Sequence, residues 1–271
     1  MIRFFSRKTA IVLLVQVMML LWFSVPTREF SADIGWPASP WICVFYFTNP
    51  FFAMVWQLCV IFFFSDAPFL RYHEMYRMIR LGRKRWFRKM LGYIVFSSAA
   101  LFFLETGLSV FFLASRGMEW SWDWGRLLYT LAMTNVSSEY DSLAVFPYRL
   151  MTSYTPVEAL LLLAFVSISL NILTAEVIAA TGLLGARAVG TGVVFGLAMY
   201  IVVERNLSRG MPEVLYLSPY SWLNLDRIGT NAGYQVTLPY VLVFLIIGEL
   251  LLPVLWGRIY RKADLTWTRE D

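Results

Sequence analysis

Long apolar runs recur along the chain, separated by shorter segments in which charged and polar residues collect. Six of these runs reach or approach the length at which an α-helix crosses about 30 Å of hydrocarbon. They cover residues 9–25, 41–64, 90–115, 157–180, 188–203 and 237–256, and the fifth is the shortest and rich in glycine. The pattern predicts an all-α polytopic membrane protein with six transmembrane helices, in which residues 1–271 form a single transmembrane domain.

The first apolar run follows a basic start, as it does in a signal peptide. No small-x-small cleavage site follows the run "TAIVLLVQVMMLLWFSV", and the run is longer than the apolar part of a typical signal peptide. We therefore interpret it as an uncleaved first span.

Two outer segments combine apolar residues with several aromatic ones, "GMEWSWDWGRLLYTLAM" and "MPEVLYLSPYSWLNLDRIG". Trp and Tyr favour the headgroup level of a bilayer. We expect interfacial or re-entrant helices here, which dip towards the bilayer without crossing it.

Composition agrees with a membrane environment. Hydrophobic residues make up 59% of the chain and charged residues 15%, whereas soluble domains average about 45–50% and about 25%. The net charge of +5 does not come from a basic stripe on a polar domain, so the sequence predicts no nucleic-acid partner.

The positive charges lie asymmetrically between the loops. Eight of the 23 Lys and Arg residues fall in "RYHEMYRMIRLGRKRWFRKM", residues 71–90. With the N-terminus inside, sixteen basic residues lie on the cytosolic side and seven on the outer side. By the positive-inside rule, both termini and the loop at residues 65–89 are predicted to be cytosolic. Anchoring the topology could be the only role of this cluster, and that alternative stays open.

The loop at residues 65–89 has the pattern of a short amphipathic helix. Ser65 or Asp66 can cap its start, and Gly82 can end it. Apolar side chains recur with helical spacing on one face, namely Phe69, Tyr72, Tyr76 and Ile79. Such a helix can lie on anionic lipid or dock into a groove of a soluble partner.

Motifs for catalysis and metal binding are missing from the sequence. It contains no G-x-x-x-x-G-K-[ST] and no G-x-S-x-G, and His73 is the only histidine. We expect no enzyme activity, no metal site and no cofactor bound by this chain. Cys43 and Cys59 fall inside one apolar run and are expected to be buried thiols.

Three acids within the predicted spans form a candidate intramembrane polar site, because a carboxylate at membrane depth is costly unless it has a role or a partner. They are Glu105, Glu176 and Glu249, of which Glu249 is expected to be the most deeply buried. Ion coupling and structural pairing both remain open for them. Gly192 and Gly196 form a G-x-x-x-G pattern and are candidate helix-packing positions.

Taken together, these features resemble the integral-membrane subunit of an ABC-2-type ABC transporter. The likeness rests on six spans, cytosolic termini, the loop "SDAPFLRYHEMYRMIRLGRKRWF" and a long outer segment at residues 204–235. That loop looks like the coupling helix of small bacterial permeases of this family. The chain departs from the family's common form at the N-terminus, where only eight residues precede the first span and a full connecting helix is not expected.

The resemblance implies a permease that pairs with a separate ATP-hydrolysing subunit, two of each making the transporter. ATP and Mg would be bound by that partner, and a second permease, identical or related, would complete the complex. The first, second and fifth spans would line the substrate path and the dimer interface. The coupling role would fall to residues of the basic loop, namely Phe69, Tyr72, Tyr76, Arg77, Ile79 and Arg80.

We therefore predict a permease subunit of an ABC exporter in a bacterial plasma membrane, with drugs, antimicrobial peptides, lipids and glycans all open as cargo. The alternative is an ion-coupled secondary transporter, or a small-molecule-binding membrane component, that uses the intramembrane Glu residues. A membrane-embedded enzyme and a non-transporting scaffold or sensor are further alternatives.

Overall fold

The computed structural model describes residues 7–69, 72–114, 117–134, 140, 144–208, 210–229 and 235–262. In chain order the helices are α1 (Arg7–Ile34), α2 (Cys43–Tyr46), α3 (Pro50–Phe64), α4 (Tyr72–Leu81), α5 (Arg83–Leu113), α6 (Arg126–Met133), α7 (Tyr148–Ser153), α8 (Pro156–Leu183), α9 (Arg187–Leu207) and α10 (Leu238–Lys262). Two short parallel strands, β1 (Ile228–Gly229) and β2 (Val236–Thr237), pair in the segment between α9 and α10.

Five helices are long and apolar enough to cross a membrane: α1, α5, α8, α9 and the part of α10 up to Arg258. A sixth crossing is present if the bent pair Pro40–Tyr46 and Pro50–Phe64 counts as one span. The prediction of an all-α polytopic membrane protein is thereby confirmed.

The second predicted span, residues 41–64, is not one helix, so that part of the prediction is wrong. Its two halves meet at 89°, and the break lies at Asn49. This residue has an extended backbone, and its side chain accepts a hydrogen bond from the Phe51 amide. Pro50 causes the break, because a proline disfavours the helical conformation of the residue before it and has no N–H to donate.

One end of the bundle gathers the start of α1, the end of α3, the start of α5 and the end of α10; we call it the basic end. Lys8 Nζ lies 2.7 Å from Asp66 Oδ1, just after α3. Trp86 in the first turn of α5 stacks on Tyr260 near the end of α10. The first helix, α1, therefore begins at the same end of the bundle at which the last helix, α10, finishes.

At the opposite end, Ala38 after α1 forms a backbone bridge with Met118 after α5. The Trp124 indole donates to the Tyr154 carbonyl, just before α8. Thr48, which precedes α3, donates its hydroxyl hydrogen to the Val145 carbonyl at this same end. Because α3 starts here and finishes beside Lys8, the bent pair connects the two ends despite its short second helix of about 22 Å.

Helix α8 is the centre of the bundle and packs against α3, α5, α9 and α10. In the most apolar 18-residue stretch of α8, 61% is buried inside the bundle, compared with 11% for the corresponding stretch of α10. A Thr155–Glu158 capping box and Pro156 fix its start. The helix is apolar on all sides, as expected for a helix surrounded by others.

The two aromatic outer segments fold as short pieces that are too short to cross a membrane, as predicted. The first contains the eight-residue helix α6, and the second contains 3-10 helices at Pro212–Leu217, Pro219–Leu223 and Leu225–Arg227. Trp120 and Trp122 are 75% and 81% exposed, whereas Trp124 is buried against Phe45.

Candidate functional site

Helix α4 lies at the basic end, within the predicted loop. It ends where predicted, because Gly82 follows it with φ +75°, a conformation that side chains with a Cβ rarely adopt. Its predicted start at Ser65 or Asp66 is wrong. Both residues instead accept hydrogen bonds from Lys8 Nζ, at 2.6 and 2.7 Å, and the helix begins at Tyr72.

The side chains of α4 divide between the bundle and the exterior. Tyr76 and Ile79 are 57% and 68% exposed, and Arg80 is exposed as well. Glu74 is buried and accepts a hydrogen bond from Arg77 Nη1 at 2.8 Å. The outward surface of α4 therefore carries two apolar side chains beside basic ones.

Two of the predicted coupling residues, Phe69 and Tyr72, do not contribute to the exposed surface described for α4. Phe69 is buried, with its ring 5.2 Å from that of Tyr93 in an edge-to-face contact. Its assignment as a docking residue is wrong, because no partner can reach it in this arrangement. The side chain of Tyr72 and that of His73 lie outside the described residues.

Aromatic contacts join α5 to α10 next to α4. The rings of Trp86 and Tyr260 stack with centroids 5.7 Å apart, and Phe87 packs on Trp256 with centroids 4.8 Å apart. The Tyr260 hydroxyl lies 3.1 Å from Met78 Sδ on α4. Helix α4 therefore contacts the end of α10 through Met78 and the start of α5 through the hydrogen bond between Glu74 and Trp86.

The exposed surface at the basic end is strongly positive. From α4 into α5, seven basic side chains are exposed: Arg77, Arg80, Arg83, Lys84, Arg85, Arg88 and Lys89. Burial raises the pKa of Glu74, but hydrogen bonds from Arg77 and Trp86 and the Arg77 charge outweigh it, so the pKa falls below its usual value. Glu74 thus stays ionised beneath the basic surface.

The structure brings together two of the three predicted intramembrane acids. Glu176 on α8 and Glu249 on α10 lie close enough for their charges to interact, while Glu105 lies on α5. Glu105 and Glu176 are 3% and 2% exposed, but Glu249 is only half-buried. The expectation that Glu249 is the deepest acid is wrong, because α10 lies at the edge of the bundle.

Several neutral polar side chains are buried in the bundle, and the sequence analysis missed them. They lie on helices α1, α3, α5 and α8. Both α1 and α8 pack on α3 and on α5. Within the described ranges, none of the following has a hydrogen-bond partner for its side chain: Gln16, Gln57, Ser97, Ser98, Ser167 and Asn171. Each interrupts an apolar run, and that interruption is the signal that could have identified them.

A buried ion pair at the opposite end was also missed. Glu204, in the last turn of α9, is 0% exposed and accepts hydrogen bonds from Arg227 Nη1 at 2.7 and 2.9 Å. The Ser221 hydroxyl donates to the same carboxylate at 2.5 Å. These contacts hold the outer segment over the end of α9.

The glycines of α9 pack differently from the prediction. A Cβ at Gly192 or Gly196 would meet no atom within 4 Å, so neither packs against a helix in the described part of the chain. Gly190 is the close contact, since a Cβ there would lie 1.9 Å from Thr181 Oγ1. Gly192 and Gly196 instead lie on an exposed face of α9 with Val193.

Among the described residues, no group of three or more His, Cys, Asp or Glu side chains could hold a metal ion. Cys43 and Cys59 are buried free thiols. No protein-family model, curated protein or solved structure matches the chain.

Proposed function

We propose that this protein is the permease subunit of an ABC exporter and that a separate ATP-hydrolysing subunit docks on α4. The observation that carries the proposal is the dual character of α4. It turns Tyr76, Ile79 and Arg80 to the exterior. It also contacts α10 through Met78 and Tyr260 and α5 through Glu74 and Trp86. A helix with both properties can receive a partner's movement and pass it to the spans.

The charges of the basic end support its position in the cytosol, with both termini and α4 on that side of a bacterial plasma membrane. Exposed apolar side chains flanked by arginines suit a groove with an acidic rim on a soluble partner. The further basic residues at the start of α5 can bind anionic headgroups, each contributing about 1 kcal/mol.

In this assembly the chain binds no nucleotide, and ATP and Mg belong to the partner subunit. Two permeases and two ATP-hydrolysing subunits form the transporter. The exposed face of α9 with Gly192 and Gly196 is where a second permease can approach closely. Closure of the ATP-hydrolysing subunits pushes on α4 and thereby tilts α5 and α10, which changes access to the substrate path.

Purification from the native membrane in mild detergent tests this proposal. We expect an ATP-hydrolysing subunit to co-purify in equal amount with the wild-type chain and to be lost with Arg80→Glu. Lys84→Glu makes the same change of charge at another exposed position of the basic end and should retain the subunit. Absence of an ATPase from the wild-type preparation, or equal loss with both variants, contradicts the docking role of α4.

A proton-coupled secondary transporter is the second candidate, favoured by the proximity of Glu176 and Glu249. Carboxylates on adjacent helices within the membrane can take up and release a proton during transport. Proteoliposomes containing the chain alone, with a pH-sensitive dye inside, test this candidate. Proton flux that is lost with Glu176→Gln supports it, whereas absence of flux leaves the ABC permease as the better account.

A further inference from the structure

A polar pocket of about 290 Å³ lies at the end of the bundle opposite α4. Its lining includes Thr48 before α3, Arg149 on α7, Arg205 and Ser208 at the end of α9, and Asn224, Asp226 and Arg227. Asn224 donates to the Thr48 carbonyl at 3.4 Å and so joins two of its walls. The pocket is therefore built from parts of the chain that are far apart in sequence.

Three arginines reach this pocket, and two have acidic partners. Arg227 is paired with the buried Glu204, as described above. Arg149 Nε lies 3.2 Å from Asp226 Oδ1, and its Nη2 also donates to the Asp226 carbonyl. The side chain of Arg205 is exposed and has no ionic or hydrogen-bonded partner within the described part of the chain. Among the described residues, one positive charge of the pocket is thus without a counter-charge.

We infer that this pocket binds a phosphate-bearing anion, with Arg205 as the primary contact and Arg149 and Arg227 as supporting charges. A guanidinium presents parallel N–H donors that match two oxygens of a phosphate group. The ion pairs that hold Arg149 and Arg227 orient these side chains before the ligand arrives, so less conformational entropy is lost on binding.

The size of the pocket limits the ligand. Sites for drug-sized molecules start at about 300 Å³, so this pocket accepts a small phosphate group or headgroup and not a large cargo. The pocket adjoins the last turn of α9, where a span reaches the headgroup level. A phospholipid headgroup and a free phosphate have the same chemistry here, and the experiment distinguishes them. The inference does not depend on coupling to an ATPase.

The test uses the full chain in a neutral detergent, in a solution in which chloride is the only anion. Inorganic phosphate is titrated by calorimetry in one arm. In the other arm, mixed micelles contain either phosphatidylglycerol or phosphatidylcholine, and the midpoint temperature of unfolding is measured. We expect one or both anions to bind, with Kd about tenfold higher in Arg205→Gln, because one charged hydrogen-bonding group is removed.

Arg126→Gln is the matched control, since Arg126 is also an exposed arginine of the outer segments but does not line the pocket. It corrects for phosphatidylglycerol bound elsewhere, above all at the basic end. Phosphate binding alone identifies a free anion as the ligand, and a phosphatidylglycerol response alone identifies a headgroup. The inference is overturned if neither anion binds, or if Arg205→Gln behaves like Arg126→Gln. Unchanged midpoint temperatures without added anion show that both variants fold.

Discussion

The indole ring of Trp86 stacks on the phenol ring of Tyr260, with centroids 5.7 Å apart and planes inclined by 13°. Trp86 lies four residues after Gly82, which ends α4, and Tyr260 lies in the last turn of α10. The contact therefore joins the first turn of α5 to the last helix of the bundle. Both side chains are buried, so the stack forms part of the packed interior.

Replacement of Trp86 by alanine tests how much this junction contributes to stability. A buried Trp→Ala change costs about 3–5 kcal/mol in the free energy of unfolding. A thiol-reactive dye can follow thermal unfolding, because Cys43 and Cys59 are buried free thiols that unfolding exposes. We expect a clear fall in the midpoint temperature for Trp86→Ala and almost none for Trp120→Ala, whose indole is 75% exposed. Equal shifts would contradict a packed role for Trp86.

The Glu74–Arg77 pair makes stability depend on pH. Because the pKa of Glu74 is lowered in the folded state, the pair stabilises the fold above the unfolded pKa of about 4.3. That contribution is lost as the pH falls through the lower, folded pKa. With Arg77 half-exposed, we expect about 0.5–1 kcal/mol at pH 7.

The midpoint temperatures of the wild type and Glu74→Gln, followed from pH 7 to pH 3, measure this contribution. The difference between them should stay constant above about pH 5 and shrink below about pH 4.3. A difference that grows as the pH falls would contradict the lowered pKa.

The buried Glu204–Arg227 pair should be essential to the outer segment. Glu204→Gln leaves the largely buried Arg227 without its counter-charge, which costs about 3–5 kcal/mol. Adding Arg227→Gln should recover part of this loss, and a double-mutant cycle measures the coupling energy between the two positions. Arg205→Gln, at the next residue but exposed, is the control and should change the stability little. Additive effects of the two Gln substitutions would show that the pair contributes nothing specific.

The exposed glycines of α9 predict self-association of the chain. Gly192→Leu with Gly196→Leu should weaken dimer formation at least about tenfold, because the larger side chains hold the helices apart. Energy transfer between labelled chains in vesicles measures the association. Gly107→Leu, also at an exposed glycine with no atom near its Cβ position, should leave it unchanged. If the Gly107 variant dissociates equally, the face of α9 is not the contact.

The sequence was sufficient to predict most spans, because each is a local run whose length alone indicates a crossing helix. The break at Asn49–Pro50 was equally local, but uninterrupted apolar residues on both sides concealed it. Contacts distant in sequence could not be predicted in this way. Phe69 is buried with Tyr93 against it, and Glu204 pairs with Arg227 across a loop of 3-10 helices.

In the candidate site too, local features could be predicted from the sequence and contacts between distant residues could not. The end of α4 at Gly82 and its exposed Tyr76 and Ile79 agree with the helical spacing of the loop. The depth of the acids was misjudged, since hydrophobicity does not show that α8 is central and α10 peripheral. The phosphate-binding pocket is formed by three arginines from separate segments, so no motif marks it.

Site-specific photo-crosslinking in native membranes tests the central claim most directly. A photo-reactive phenylalanine is placed at position 79 on α4 or at position 103 on α5, where Ile79 and Phe103 are 68% and 64% exposed. We expect an adduct with an ATP-binding protein from position 79 and none from position 103, which lies within a span. No such adduct from position 79, or the same adduct from both positions, would contradict docking of an ATPase on α4.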